Sequence, residues 1–201
     1  MANYDSDTVS VFDSNSGSTK SIRVGVSPTS IAVDPFFSKI YVANARSDSV
    51  SVIDGINDSK IGKDIPVGKA PVYVAASGGR IYVANFDDNT VSVINSSTYT
   101  KVVPDIPVLP DPMYITAERT IDVFGDGLSV INRTTDTKML DIPVGDGAHR
   151  IQEEFNGHFQ KNVIYVPNPD DGNVYVVLPT DILHKKAQSI QVEIIPVGEY
   201  R

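Results

Sequence analysis

Aromatic and charged side chains recur at one register of a repeating sequence, in positions that suit the binding of a sugar or a carboxylate. The residues in this register are Thr29-Ser30, Val72-Tyr73, Met113-Tyr114 and His149-Arg150. An aromatic ring stacks on a ligand, and a guanidinium donates two parallel hydrogen bonds to a carboxylate. We therefore predict a ligand-binding set of Tyr73, Tyr114, His149 and Arg150. The structural alternative is that the tyrosines fill a junction between repeats and Arg150 neutralises an aspartate.

Few residues in the chain suit catalysis. The three histidines, His149, His158 and His184, stand in different contexts, without the H-x-x-H or H-E-x-x-H spacing of a metal site. The sequence has no cysteine, which excludes thiolate metal sites and a cysteine nucleophile. Glu153 and Glu154 near His149 are the only acid–histidine combination that could act in a channel. We expect no catalytic residues, with His149, Glu153 and Glu154 as the alternative.

Acidic residues mark one turn of every repeat. They are Asp5, Asp7, Asp48, Asp87, Asp88, Asp126, Asp170 and Asp171. Rings of oxygen ligands bind Ca²⁺ or Mg²⁺. However, no segment has the D-x-[DN]-x-[DN]-G spacing, and tight turns need Asp and Asn in any case. We therefore predict turn residues and no cofactor, and keep Ca²⁺ or Mg²⁺ as the alternative.

A repeat of about 41 residues positions all of these side chains. Lys39-Ile-Tyr-Val-Ala-Asn44 returns as Arg80-Ile-Tyr-Val-Ala-Asn85, and a polar turn and an alternating strand follow each copy. The repeats close on Ile-x-Val-Gly or a variant, which begins at Ile22, Ile65, Ile106, Ile142 and Ile195. Four short strands per repeat, with Asp, Asn and Gly turns, are typical of a propeller blade. Proline cannot donate a ladder hydrogen bond, so the Ile-Pro-Val strand is expected at the outer edge.

The predicted fold is all-β, a β-propeller of four-stranded antiparallel blades with about four and a half repeats. Strands are lettered A (inner) to D (outer) within a blade. The predicted division is a half blade of strands C and D at 1–25 and blades at 26–68, 69–109, 110–145 and 146–198, the last with an insert. A blade without strands A and B leaves a sheet edge unpaired. We therefore expect either a fragment of a longer polypeptide or a homo-oligomer that completes the propeller.

These motifs resemble the YVTN family of β-propellers. The match is strongest at Ile40 to Asp54 and at Ile81 to Asn95, where Tyr-Val-Ala-Asn precedes Val-Ser-Val-Ile-Asp or Asn. The fourth repeat departs from the pattern, with Ile121-Asp-Val-Phe-Gly125. The resemblance implies a propeller of a surface-layer or secreted protein, commonly with seven blades, and it specifies no reaction.

Charge and composition narrow the expected partners. A net charge of −8 with dispersed Lys and Arg argues against a nucleic-acid partner, and none is expected. No run of 18 apolar residues is present, so membrane insertion is not expected. No leader sequence follows Met1, which predicts a fragment or processed form. Three glycosylation sequons, at Asn57, Asn95 and Asn132, fit an extracellular or cell-envelope location.

The predicted function is a non-enzymatic cell-surface or secreted scaffold that binds protein or glycan. The predicted binding face is the one that carries the D–A and B–C loops. The alternative is a propeller lyase or lactonase with a divalent ion in the central channel. A third reading is a truncated reading frame with no defined role.

Overall fold

The computed structural model describes residues 1–34, 36–117, 120–144, 152–154, 163–168, 172–178 and 191–196. Within them the chain forms five antiparallel sheets in sequence order. The strands are β1 Ala2–Asn3, β2 Thr8–Phe12, β3 Thr19–Arg23, β4 Pro28–Asp34, β5 Lys39–Asn44, β6 Ser49–Asp54, β7 Ser59–Pro66, β8 Pro71–Ser77, β9 Arg80–Asn85, β10 Thr90–Asn95, β11 Thr100–Lys101, β12 Ile106–Pro107, β13 Tyr114–Ala117, β14 Ile121–Phe124, β15 Leu128–Asn132, β16 Thr137–Ile142, β17 Gln152–Glu154, β18 Val163–Asn168, β19 Asn173–Leu178 and β20 Gln191–Pro196. Two 3₁₀ turns, Tyr4–Ser6 and Ala45–Ser47, connect B to C strands.

Each sheet is a meander in which consecutive strands pair. The second, fourth and fifth sheets have the orders β4-β5-β6-β7, β13-β14-β15-β16 and β17-β18-β19-β20. In the third sheet the outer strand is divided into β11 and β12, and both pair with β10. The predicted four-stranded blades are therefore confirmed. The first sheet corrects one detail: beside strands C and D it contains β1, the end of a strand B, paired with β2.

The prediction that Ile-Pro-Val forms the outer strand is confirmed. Pro66 pairs with Ser49 and Pro107 with Thr90, each on the outermost strand of its sheet. The prolines do not interrupt a ladder, because the far side of an outer strand has no partner strand to receive an N–H.

The sheets pack face to face, since side chains alternate between the two faces of each strand. One face of β6 presents Val50 and Val52 to the third sheet, where they pack with Val83. The opposite face presents Ile53 to the first sheet, where it packs with Val9. Every internal blade therefore contributes to two cores.

The innermost strands lie side by side. The Thr29 hydroxyl of β4 donates to the carbonyl of Pro71 at 2.9 Å, and the Val74 N–H of β8 donates to the Ser30 hydroxyl at 3.3 Å. These contacts place the first residues of strands A at one end of neighbouring inner strands, where the predicted ligand residues also fall. No helix among the described residues has the length and apolarity to cross a membrane.

Candidate functional site

A hydrogen-bonded chain of four side chains crosses the second sheet from strand B to strand D. The Asn44 amide donates to the Ser51 hydroxyl at 3.0 Å, and that hydroxyl donates to the Asp64 carboxylate at 2.5 Å. Lys60 lies 2.8 Å from the same carboxylate oxygen. The third sheet repeats the arrangement through Asn85, Ser92, Asp105 and Lys101. The fourth keeps Ser129, Asp141 and Lys138.

The serine of this chain also joins each sheet to the one before it. The Gly25 N–H donates to Ser51 at 3.1 Å, the Gly68 N–H to Ser92 at 3.3 Å, and the Leu109 N–H to Ser129 at 2.9 Å. In the second and third sheets the hydroxyl therefore donates one hydrogen bond and accepts two, which uses its capacity. The three serines are fully buried. They are bridging groups of the architecture and are not accessible as nucleophiles.

The acidic residues of the B–C turns bind backbone N–H groups of the next D–A corner. Asp7 accepts from the Ser27 N–H and Asp48 from the Ala70 N–H, both at 2.9 Å. Asn89 accepts in the same way from the Asp111 N–H at 3.0 Å. The predicted role of these acids as turn residues therefore has direct structural support at Asp7 and Asp48. The described residues contain no group of three or more His, Asp and Glu side chains that could hold a metal ion.

The backbone conformation explains why the D–A corners need these acceptors. Ser27, Ala70 and Asp111 all adopt left-handed conformations, with φ of 55°, 49° and 54°. A non-glycine residue in this region is strained, and the strain persists only where surrounding contacts fix it. The side chains of the B–C turns supply that contact. The face with the D–A and B–C loops is thereby held in one conformation.

The structure brings Tyr73 and Tyr114 together. Their ring centroids are 4.6 Å apart with a tilt of 56°, and the Tyr114 ring lies 6.2 Å from that of Phe124. Both tyrosines are half-buried at the junction between the third and fourth sheets. The pair therefore packs at a junction between blades and is partly exposed to solvent. Beside it Met113 is 48% exposed.

The other predicted site residues have no described side-chain position. His149 and Arg150 lie outside the described residues. Glu153 and Glu154 belong to β17, where their backbones pair with Ile164 and Val163, and their side chains lie outside the description. Of the four predicted ligand-binding residues, only Tyr73 and Tyr114 therefore have described positions. The side-chain positions of the alternative catalytic set, His149, Glu153 and Glu154, lie outside the described part of the structure.

Phe124 also belongs to this cluster, and it is not among the site residues predicted from the sequence. It stands where the second and third repeats have Ala43 and Ala84, and it is 1% exposed. Its carbonyl accepts the Met113 N–H at 2.7 Å. The signal in the sequence was the departure of the fourth repeat from Tyr-Val-Ala-Asn, which introduces an aromatic ring beside Tyr114.

The opposite face carries the C–D turns, and its tyrosines connect neighbouring blades. The Tyr41 hydroxyl donates to the Ser96 carbonyl at 3.1 Å, and the Tyr82 hydroxyl donates to Asp136 at 3.0 Å. Burial raises the pKa of both phenols well above the ordinary value, and the Asp136 carboxylate adds to the rise at Tyr82. Both phenols are therefore held as neutral hydrogen-bond donors.

Aspartate and asparagine cap the C–D turns through their side-chain oxygens. Asp54 accepts the N–H groups of Ile56 and Asn57, and these bonds, with the Lys39 ammonium, lower the pKa of its carboxyl. The sequon residues Asn95 and Asn132 make the corresponding bonds. Two of the three sequon asparagines therefore have a structural role in the turn.

Comparison with known proteins identifies the class of fold. No family model and no curated protein matches the chain. Among solved structures, hydrazine synthase of Kuenenia stuttgartiensis is similar over 98% of this chain and 62% of its own, with 22% identity and a TM-score of 0.73. A streptogramin B lyase is similar over 98% of this chain and 64% of its own, with 13% identity and a TM-score of 0.69.

The β-propeller domain of Cps50 (Swd1) from Myceliophteria thermophila is similar over 93% of this chain and 64% of its own, with 12% identity and a TM-score of 0.67. The chain thus spans less than two thirds of the length of each of these proteins. It is a β-propeller protein, built of antiparallel four-stranded blades. At these identities the similarity shows the fold alone, which a lyase and the Cps50 (Swd1) propeller domain share.

Proposed function

We propose that this chain is a non-enzymatic propeller scaffold of the YVTN type, located at the cell surface or secreted, which binds protein or glycan. The proposed binding face carries the D–A and B–C loops. One observation carries the proposal: in the described blades the repeated polar side chains are bound to one another, while the D–A corner changes from blade to blade. The corner reads Thr29-Ser30, then Val72-Tyr73, then Met113-Tyr114.

The polar residues that recur in each repeat stabilise the blades and their turns. Serine, asparagine and aspartate side chains form the crossing networks and the turn caps, and their hydrogen bonds are made within and between blades. An enzyme needs a base or nucleophile that is accessible to its substrate. The buried serines do not meet this condition. A rigid face with variable corner residues suits binding, because little ordering is needed when a ligand docks.

The cluster of Met113, Tyr73, Tyr114 and Phe124 is the proposed contact point on this face. Aromatic and methionine side chains are enriched where proteins bind partners, because they contribute a large contact area at low entropic cost. Phe124 and Tyr73 support the Tyr114 ring from two sides. Around them the face is acidic, with Asp88 and Asp111 exposed. A neutral sugar ring or an apolar side chain flanked by basic groups fits such a surface.

The test is binding to an immobilised panel of neutral and acidic glycans, followed by calorimetric titration of any sugar that binds. We expect Met113→Ser and Tyr114→Ala to weaken binding at least tenfold. Phe36→Ala is the matched control, because Phe36 is 81% exposed in the A–B turn, on the opposite face. Urea unfolding of each variant separates loss of binding from loss of folding.

Two results would overturn the proposal in different ways. Glycan binding that is unchanged in Met113→Ser and Tyr114→Ala would move the binding site away from the D–A corner. Consumption of a panel sugar or lactone with turnover, abolished by His149→Ala, would show an enzyme. If no glycan on the panel binds, the glycan half of the proposal fails and protein remains as the ligand class.

A further inference from the structure

The face of the first sheet that points away from the second sheet carries two large exposed apolar side chains. Met1 is 80% exposed and Phe12 is 67% exposed. Single exposed apolar residues are common on proteins, but two on one face of a regular sheet resemble the inside of an interface. The repeat allows a direct comparison, since the same positions occur in three further sheets.

At the equivalent positions of the following sheets the side chains are completely covered. The position of Phe12 is held by Ile53, Ile94 and Ile131, each 0% exposed. The position of Met1, opposite Ser10 on β2, is held by residues 0 to 2% exposed, namely Val42, Val83 and Val123. In each case the preceding sheet provides the cover. Ile53 and Val42, for example, pack against Val9, Ile22 and Val24.

The polar half of this interface is also present on the first sheet. The Asn3 amide donates to the Ser10 hydroxyl at 2.8 Å, as Asn44 does to Ser51 in the second sheet. In the later sheets this serine also accepts an N–H from the Ile-x-Val-Gly segment, or its variant, of the preceding sheet. The first sheet therefore has both the apolar and the hydrogen-bonding groups with which one blade receives another.

We infer that this face binds the last sheet of a second copy of the chain, in a head-to-tail arrangement. The register of the last sheet supports this occupant. Val174 pairs with Ile195 on β19 and β20, as Val50 pairs with Ile65 on the face that covers a following blade. In sequence, Ile195-Pro-Val-Gly198 also matches the closing segments whose Gly25 and Gly68 N–H groups bind the serine in two of the other interfaces.

The proposed contact continues an interface that the chain already uses between its own blades. Because two different faces meet, the contact is heterologous, and it produces rings or open chains of two or more copies. The inference does not depend on the ligand of the D–A face.

Sedimentation velocity over a range of protein concentrations tests the inference. We expect the wild-type mass to rise above the 21.7 kDa of one chain as the concentration increases. Phe12→Ser should raise the dissociation constant at least tenfold. Phe36→Ser is the matched control and should leave association unchanged, because Phe36 is more exposed than Phe12 but lies in a turn outside the proposed face. A monomeric wild type, or equal association of Phe12→Ser and wild type, would refute the inference.

Disulfide trapping identifies the partner, since the chain has no cysteine of its own. Phe12→Cys and Val176→Cys, purified separately and mixed, should form a disulfide-linked heterodimer under mild oxidation. Val33→Cys, at an exposed position of β4, replaces Phe12→Cys in the control mixture and should not be trapped. A chain carrying both cysteines that crosslinks only within a monomer would contradict the inference, because its own last sheet would then cover the face.

Discussion

Gly68→Ala should destabilise the fold because the added methyl group would meet the Asn85 side chain of the next sheet. A Cβ at Gly68 would lie 2.6 Å from both Cγ and Nδ2 of Asn85 and 2.8 Å from its Cβ. Asn85 is fully buried, and its amide donates to Thr90 and Ser92. The side chain therefore cannot move aside without breaking hydrogen bonds. Gly68 itself is not in the left-handed region, so the backbone would accept alanine.

The expected cost follows from three contributions. Overpacking a buried site costs about 1–3 kcal/mol. Displacing the Asn85 amide weakens a hydrogen bond worth about 1 kcal/mol. Replacing glycine by alanine at a compatible position returns about 0.4–1 kcal/mol by restricting the unfolded chain. The net expectation is a loss of about 2 kcal/mol in the free energy of unfolding.

Urea unfolding followed by far-ultraviolet circular dichroism measures this loss, and a double-mutant cycle with Asn85→Gly assigns it. The single change Asn85→Gly removes two hydrogen bonds and should cost about 2 kcal/mol. Once the Asn85 side chain is absent, Gly68→Ala should cost nothing or should stabilise slightly. The coupling between the two sites should therefore be about 2 kcal/mol, within the range found for residues in contact.

The fourth repeat already contains a natural version of this exchange. Leu109 stands where the glycine is expected, and the facing strand has Gly125 in place of asparagine. If Gly68→Ala costs the same with asparagine or glycine at position 85, the clash with Asn85 is not the cause and the reasoning is wrong. A cost below about 0.5 kcal/mol would refute it equally, because it would show that the interface yields freely.

Two further predictions concern the bridging serines and the buried phenols, both measured by urea unfolding. Ser51→Ala should cost at least about 1 kcal/mol more than Ser10→Ala, because Ser51 accepts the buried Gly25 N–H and donates to the Asp64 carboxylate, and Ser10 makes neither bond in the described part of the chain; equal costs would show that these two bonds do not stabilise the fold. Stability should be full below pH 10.0, the ordinary phenol value, and fall above it, because burial raises the pKa of Tyr41 and Tyr82 and the folded chain retains their protons. The slope should be about 1.4 kcal/mol per pH unit for each tyrosine and smaller in the double phenylalanine variant; an unchanged slope would contradict the assignment.

The blade architecture was predictable because the same strand and turn patterns occur in several copies of the repeat. Alternation along Ser49–Asp54 and Thr90–Asn95, turn residues between the strands, and proline in the last strand each gave the same answer independently. Agreement among such local signals is what makes a sequence specify a fold. The two-residue strand β1 was missed as a strand because so short a segment has no period of its own.

The crossing networks were not predictable from the same patterns. Ser51 and Asp64 are 13 residues apart, whereas Ser129 and Asp141 are 12 apart. The difference arises because strand D carries two extra residues at an irregularity in its pairing with strand C in the second sheet, and one extra residue in the fourth. A register shift of this kind depends on packing against the neighbouring sheet, and no single strand encodes it.

The fourth repeat differs from the others at residues that pack near the proposed binding site. Its loss of Tyr-Val-Ala-Asn is accompanied by two described changes: Leu109 occupies space near Gly127, and Phe124 replaces an alanine and packs beside Tyr114. The change to Phe124 adds a ring to the tyrosine pair next to exposed Met113 at the D–A corner. Because the other described corners lack this cluster, a ligand that distinguishes among blades would bind at the junction of the third and fourth.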